Sequence, residues 1–285
     1  MLIQPYQLDE LKFAWCYQVF FRWRTWRRVP VPSLAGLTAE SLNPRLKQYQ
    51  VRLLEFGSNP LDIRALVSLQ PQESTATAAS KTKGQLCTAV GEQVSSNQKT
   101  FARGYFAATV GKSTADEVNN YLEIQSEHQG YDRRPRPATH VAVFVRDAAM
   151  QEFLATDHAV TSLKFHIVLA TWKRQGVFSA EAAKAMDAHW RDQQVRLRVV
   201  FDKFSFLPDH VHIAVEVHPT VSPARLVIEL INASQEFAFE NFPENVVRAK
   251  AERLWQPGAY IGSFGDLTTA AMESYIDRWC RVKAE

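Results

Sequence analysis

The stretch Leu207-Pro208-Asp209-His210-Val211-His212-Ile213-Ala214-Val215-Glu216-Val217 decides the fold class of the chain. Val211, Ile213, Val215 and Val217 recur at every second position, the spacing of one face of a β-strand. His210, His212, Ala214 and Glu216 take the opposite face. Two imidazoles therefore project side by side from one strand, a placement that suits a shared divalent ion. A His-x-His pair alone is common on half-exposed strands. Here the Pro208-Asp209 before it and the regular pattern around it strengthen the metal reading.

Outward from that strand, imidazole is confined to the later part of the chain. All eight histidines follow residue 127, so metal or acid–base chemistry using histidine must draw on the second half. His166, on an earlier strand, reads as a packed side chain. The chain has 285 residues, 46% hydrophobic and 22% charged, which describes a globular protein and excludes disorder as its dominant state. Three cysteines, Cys16, Cys87 and Cys280, are too few and too scattered for a disulfide framework or a metal motif. No apolar run reaches the ~18 residues of a membrane span, and Met1 to Glu10 lack the layout of a signal peptide. The expectation is a cytoplasmic protein with no membrane partner.

The net charge of +3 is unevenly spread. Residues 11–52 hold eight basic side chains against one acid, Glu40. Within them, Phe21-Arg22-Trp23-Arg24-Thr25-Trp26-Arg27-Arg28 alternates cations with indoles. Such interleaving suits single-stranded nucleic acid, because guanidinium groups meet phosphates while rings stack on unpaired bases. The bland alternative is a strand end with core tryptophans and solvated arginines. The expected DNA-contacting set is Arg22, Trp23, Arg24, Trp26, Arg27 and Arg28, with Lys173 and Arg174 in a matching turn.

That match belongs to an internal duplication. Leu11-Lys12-Phe13 parallels Leu163-Lys164-Phe165, and Arg22-Trp23-Arg24 parallels Trp172-Lys173-Arg174. Asn59 to Leu69 parallels Leu207 to Val217, and Gly104 and Gly111 parallel Gly258 and Gly265. Each half then carries a helix, with Tyr121 and Tyr275 at corresponding positions. Each half reads as strand, helix, strand, strand, helix, strand, helix. In the second half the strands fall at 163–172, 194–205, 210–217 and 258–264, and the helices at 179–190, 222–241 and 267–281. Ser222 is the expected N-cap of the 222–241 helix, with Pro223 at its first position. Gln70 to Lys83, rich in Ser, Thr, Ala and Gln, reads as an inserted loop, and Gln129 to Pro137 as part of an interdomain linker. The expected fold is α+β, two tandem domains at 1–125 and 161–285 joined by a linker at 126–160, each an antiparallel sheet flanked by helices.

Leu207-Pro208-Asp209-His210-Val211-His212 resembles the histidine–hydrophobic–histidine (HUH) motif of single-tyrosine transposases, among them those of the smallest insertion sequences and the REP-associated tyrosine transposases. Phe165 to Phe178 is similar to their first strand and basic turn, Ser222 to Val227 to the helix after the histidine strand, and Leu254 to Ser263 to the Trp-containing segment before the tyrosine helix. The likeness spans essentially all of residues 163–281. It implies dimers acting on single-stranded or hairpin DNA. A tyrosine on the last helix attacks the scissile phosphate, and Mg²⁺ or Mn²⁺ is held by the two histidines and a polar residue, often Gln, four positions beyond the tyrosine.

This chain departs from that pattern in complementary ways. Tyr275 is followed at i+4 by Trp279, which cannot ligate a metal, whereas Tyr121 is followed by Gln125. Asp62-Ile63-Arg64 stands where the first half would carry its histidines, and an arginine there opposes a cation. The expectation is a fused, monomeric pseudo-dimer with one composite site, built from His210 and His212 of one half and Tyr121 and Gln125 of the other. Tyr275 is kept as a second catalytic candidate. The competing class is a domesticated, inactive DNA-binding protein recognising hairpins or DNA ends. A small-molecule metallohydrolase is disfavoured because no further acidic or histidine ligand is evident.

Overall fold

A computed structural model describes residues 4–91, 99–114, 116–118, 138–146, 150, 152–248, 250–266 and 268. The fold is α+β, with two mainly antiparallel sheets and helices packed on them. One sheet contains β2 (Gln18–Arg24), β3 (Arg52–Ser58), β4 (Asp62–Ser68) and β5 (Tyr105–Val110), with α1 (Ala39–Leu46) and α2 (Thr75–Gly91) in the same half of the chain. The other contains β8 (Lys164–Ala170), β9 (Val199–Leu207), β10 (His210–Val217) and β11 (Gly258–Phe264), with α3 (Ala180–Arg191) and α4 (Pro223–Asn241). Ser222 caps α4 by accepting from Arg225 N, and Pro223 takes the first helical position, as the sequence leads one to expect. No helix among the described residues is long and apolar enough to cross a membrane.

Strand order is the same in both sheets: β3-β4-β2-β5 in one, β9-β10-β8-β11 in the other. Each sheet is then completed by a strand from the opposite half. β1 (Lys12–Cys16) pairs in parallel with β11, and β7 (Ala159–Ser162) pairs in parallel with β5. The exchange is reciprocal residue by residue. Gln18 N donates to Ser263 Oγ at 2.9 Å, and Lys164 N donates to Thr109 Oγ1 at 2.8 Å. Ser263 Oγ donates to Val110 O and Thr109 Oγ1 to Phe264 O, both at 2.6 Å. Beyond the strands, Gly111 bridges to Thr268 and Thr114 to Gly265. These hydroxyls satisfy backbone groups that the bend between paired strands would otherwise leave buried and unmet.

The seam leaves no room for a side chain at two of its glycines. A Cβ at Gly111 would overlap the carbonyl oxygen of Ser263, and one at Gly265 would overlap that of Thr109. Both obstacles are backbone, which cannot swing aside. Gly111→Ala should therefore cost about 3 kcal/mol or more, at the upper end of overpacking penalties. Thermal unfolding checks this, and an unchanged midpoint would show that the seam yields where the geometry says it cannot.

Three sequence expectations need correction. The hydrogen-bond register does not equate Leu11-Lys12-Phe13 with Leu163-Lys164-Phe165. Arg22 lies opposite Arg64 and Phe106, just as Val168 lies opposite His212 and Tyr260, so Gln18 corresponds to Lys164 and Thr25-Trp26-Arg27-Arg28 to Thr171-Trp172-Lys173-Arg174. The repeated Leu-Lys-Phe is a coincidence, and the true counterpart of β1 is β7. Second, Gln70 to Lys83 is not a loop: α2 begins at Thr75, because alanines and short polar side chains let it pack closely through Ala78, Ala79, Thr82, Leu86 and Val90. Third, residues 194–205 are not one strand. Gln194–Leu197 is a helical turn ended by Arg198 in the left-handed region (φ 57°), and β9 starts only at Val199. The helix expected at 267–281 lies outside the described residues. Within the stretch read as a linker, β6 (His140–Val143) adds an edge strand beside β9.

Candidate active site and nucleic-acid interface

β10 runs between β8 and β9 and is buried along its whole length. It follows β9 through a two-residue turn, Pro208-Asp209, which fixes the register at Leu207 opposite His210. The alternation seen in the sequence then places His210 and His212 on one face, with ring centroids 5.0 Å apart. Asp209 does more than turn the chain. Its Oδ1 lies 2.6 Å from His210 Nδ1, and its Oδ2 lies 3.0 Å from Arg174 Nε. Burial pushes the Asp209 carboxyl up, but the bond to His210 and the nearby Arg174 guanidinium outweigh it, so the group sits below its ordinary value.

His212 Nδ1 lies 2.9 Å from His166 Nε2, and the two rings stack. The sequence reading treats His166 as mere packing, yet period two on β8 carries the signal. His166 pairs with Ala214 across the strands, which puts it diagonal to His212 on the same face. Burial holds His166 down to about 4, and burial with the neighbouring His166, His210 and Arg174 holds His212 well below its usual value. A ring kept neutral, as His212 is, is able to donate to a metal. With both Nδ1 atoms engaged by Asp209 and His166, a divalent ion would be taken through Nε2 of each ring, and the flanking groups act as orienting partners. Among the described residues no group of three or more His, Cys, Asp or Glu is arranged to hold a metal.

The first half differs at the same place. Asp62 occupies the register position of His210, and Arg64 that of His212. Arg22 Nε donates to Asp62 at 3.0 Å, and Arg64 Nε lies 3.6 Å from the same carboxylate. An arginine–aspartate cluster cannot serve as a metal seat of the histidine type.

The basic segments divide by the parity of their strand. Trp23 is fully buried and stacks on Phe21, because Val19, Phe21 and Trp23 form the core face of β2. It cannot stack on a base, which corrects the expectation that it contacts DNA. Arg22 is tied to Asp62 on the opposite face, beside exposed Arg24. Trp26 is half-buried, with Arg27 and Lys99 over its ring at 5.6 and 5.0 Å. Arg27 and Arg28 are exposed and adopt φ of 51° and 57°; Lys173 and Arg174, their counterparts, adopt 50° and 55°. Two consecutive left-handed non-glycine residues are costly, and finding them in both turns points to a use for that geometry.

Tyr121, Gln125 and Tyr275 lie outside the described residues. The entry to the segment carrying Tyr121 is described, however. Thr114 and Glu117 form a reciprocal capping box, with Glu117 N donating to Thr114 Oγ1 at 3.3 Å and Thr114 N to Glu117 Oε2 at 2.7 Å. Helical residues 116–118 follow, and Val118 packs against Ala214 and Phe264. Ala214 shares the β10 face of His210 and His212, so the first half enters its helix on the histidine face of the second.

The family model for IS200-like transposases matches residues 13–125 and 159–278. The chain belongs to that family. Among relatives, the ISDra2 transposase TnpA of Deinococcus radiodurans is 25% identical over 118 residues, covering 41% of this chain and 84% of that protein. The IS200 transposases of Salmonella typhimurium and Salmonella typhi are each 25% identical over 119 residues, covering 42% of this chain and 78% of theirs. Membership supports an enzyme of DNA transposition in general.

Proposed function

We propose that the chain is a single-chain pseudo-dimer that cleaves and rejoins single-stranded or hairpin DNA at one composite site. The observation that carries this reading is Val118 of the first half seated on Ala214 of the histidine strand. The reciprocal exchange of β1 and β7 supports the pseudo-dimer, since a self-complementary seam is what two fused copies of one protomer would make. So does the match of the family model to two separate segments, each about as long as the stretch matched in the relatives.

On this reading Tyr121 is the nucleophile, and His210, His212 and Gln125 hold Mg²⁺ or Mn²⁺. The ion, when bound, supplies charge stabilisation at the scissile phosphate and fixes its orientation. The Tyr121 oxygen forms a bond to phosphorus as the bond from phosphorus to the 3′ oxygen breaks. The phenolic proton leaves through solvent, and the departing 3′ oxygen takes one up. A phenol with an ordinary pKa of ~10 is a weak nucleophile at neutral pH, so the reaction depends on a well-polarised target. Residues four apart on a helix share a face, which would let Tyr121 and Gln125 reach one ion together. The covalent phosphotyrosine conserves the bond energy, and a later 3′ hydroxyl reseals the strand by the reverse displacement.

Incubating the chain with a library of single-stranded and hairpin oligonucleotides and Mn²⁺ tests the proposal. A covalent protein–DNA adduct that disappears with EDTA is expected. DNA binding with no adduct under any metal would leave a binding protein, the outcome that Asp62 and Arg64 at the first half's histidine positions would favour.

The basic turns make a separate prediction. Neutralising Arg27, Arg28 and Lys173 together should weaken DNA binding and make its salt dependence shallower. On a single strand the slope should fall by about 0.7 for each phosphate the protein no longer neutralises. An unchanged slope in a salt titration would remove these turns from the interface.

A further inference from the structure

The place of the absent first-half metal seat is a cavity of about 1030 Å³. Its floor is the outer face of β2, β4 and β5, the face on which the second half carries its histidines. By strand register, Phe20 stands for His166, Arg22 for Val168, Arg24 for Ala170, Arg64 for His212 and Phe106 for Tyr260. One imidazole (His212) and two aliphatic side chains are thus exchanged for arginines, His166 is exchanged for phenylalanine, and the aromatic at the 260 position is kept as phenylalanine. Arg103 adds a fourth guanidinium to the lining.

The acids nearby do not cancel this charge. Asp62 is shared between Arg22 and Arg64, Asp266 pairs with Lys164 at 2.9 Å, and Asp157 is the remaining carboxylate on the lining, beside His158. Phe106 is 38% exposed and meets Phe20 edge to face at 6.1 Å. Guanidinium groups beside an open aromatic face are what a phosphate joined to a planar base requires. The floor also has length. Five of the six residues of β5, all but core-facing Ala107, contribute to the lining, and the strand is about 20 Å long, against ~3.4 Å per stacked base.

From this geometry we infer that the degenerate half-site is a metal-independent binding site for a segment of single-stranded nucleic acid, with Arg22, Arg24, Arg64 and Arg103 toward phosphate and Phe106 toward a base. The inference rests on the DNA reading above and deepens it. One half of the chain works on the strand with a metal, and the other grips it by guanidinium charge.

Binding of a short fluorescent oligothymidylate to the full chain in EDTA tests the site, because chelation removes the metal contribution. Phe106→Ala, at an exposed position, should weaken binding roughly tenfold, the scale of one missing base stack. Arg24→Ala with Arg103→Ala should weaken it further and flatten its salt slope. Arg64→Gln serves as a third variant, read only if its melting curve matches the parent. Excess thymidine monophosphate should fail to displace the oligonucleotide; ready displacement would mean that a free nucleotide is the ligand and would overturn the strand assignment. Parent-like affinity in the Phe106 and Arg24/Arg103 variants would overturn the inference, as would binding that exists only with Mn²⁺, and the latter would leave the composite metal site standing. Absence of DNA binding under every metal condition would overturn both readings together.

Discussion

Chains carrying His212→Ala should form no detectable DNA adduct at any manganese concentration, while still binding DNA. His212 sits mid-strand with its Nδ1 held by His166, so the substitution removes a proposed ligand whose direction is already fixed. Changes that only misorient a ligand commonly cost 10–100-fold in metal affinity or activity, and loss of the ligand itself should exceed that. His166→Ala supplies the graded comparison: it should lower activity by about that 10–100-fold range and be partly rescued by added Mn²⁺. His210→Ala should behave like His212→Ala, since Asp209 plays toward His210 the part His166 plays toward His212. Melting curves and DNA affinity separate these losses from unfolding, because both rings are buried. An adduct formed at the parent rate by His212→Ala would remove the histidine strand from the chemistry.

Much of this arrangement is legible from local pattern. Strict alternation from His210 to Val217 marks the strand, its ends and the shared histidine face, because a period of two leaves no other way to bury Val211, Ile213, Val215 and Val217. The glycines at 104, 111, 258 and 265 mark the corresponding strand ends correctly, since close backbone approach at the seam tolerates nothing larger. What fails depends on long-range pairing. The Leu-Lys-Phe repeat misleads because β1 and β7 leave their own halves, and no local signal says that a strand will pair with one some 245 residues away. Composition assigns Trp23 to DNA, although the parity of Val19, Phe21 and Trp23 already puts it inside. α2 escapes a sequence reading because its packing face is made of Ala78, Ala79 and Thr82, which carry little hydrophobic signal. Period two on β8 puts His166 on one face of its strand, but its partner His212, like the partners of Asp209, is fixed only by neighbours across the sheet and across a turn.

The second large effect concerns the nucleophile. Tyr121→Phe removes one oxygen, so folding and DNA binding should persist while adduct formation falls to nothing. Gln125→Ala should leave a residual activity that rises with Mn²⁺, because it removes one proposed ligand and spares Tyr121. Tyr275→Phe should be the mildest of the three, since Trp279 stands where its helix would need a ligand. The most direct measurement is to trap the adduct on a single-stranded substrate with Mn²⁺, digest it, and locate the modified tyrosine by mass spectrometry. The composite site across the two halves requires the DNA on Tyr121. DNA on Tyr275 would place the whole site within the second half and contradict the account.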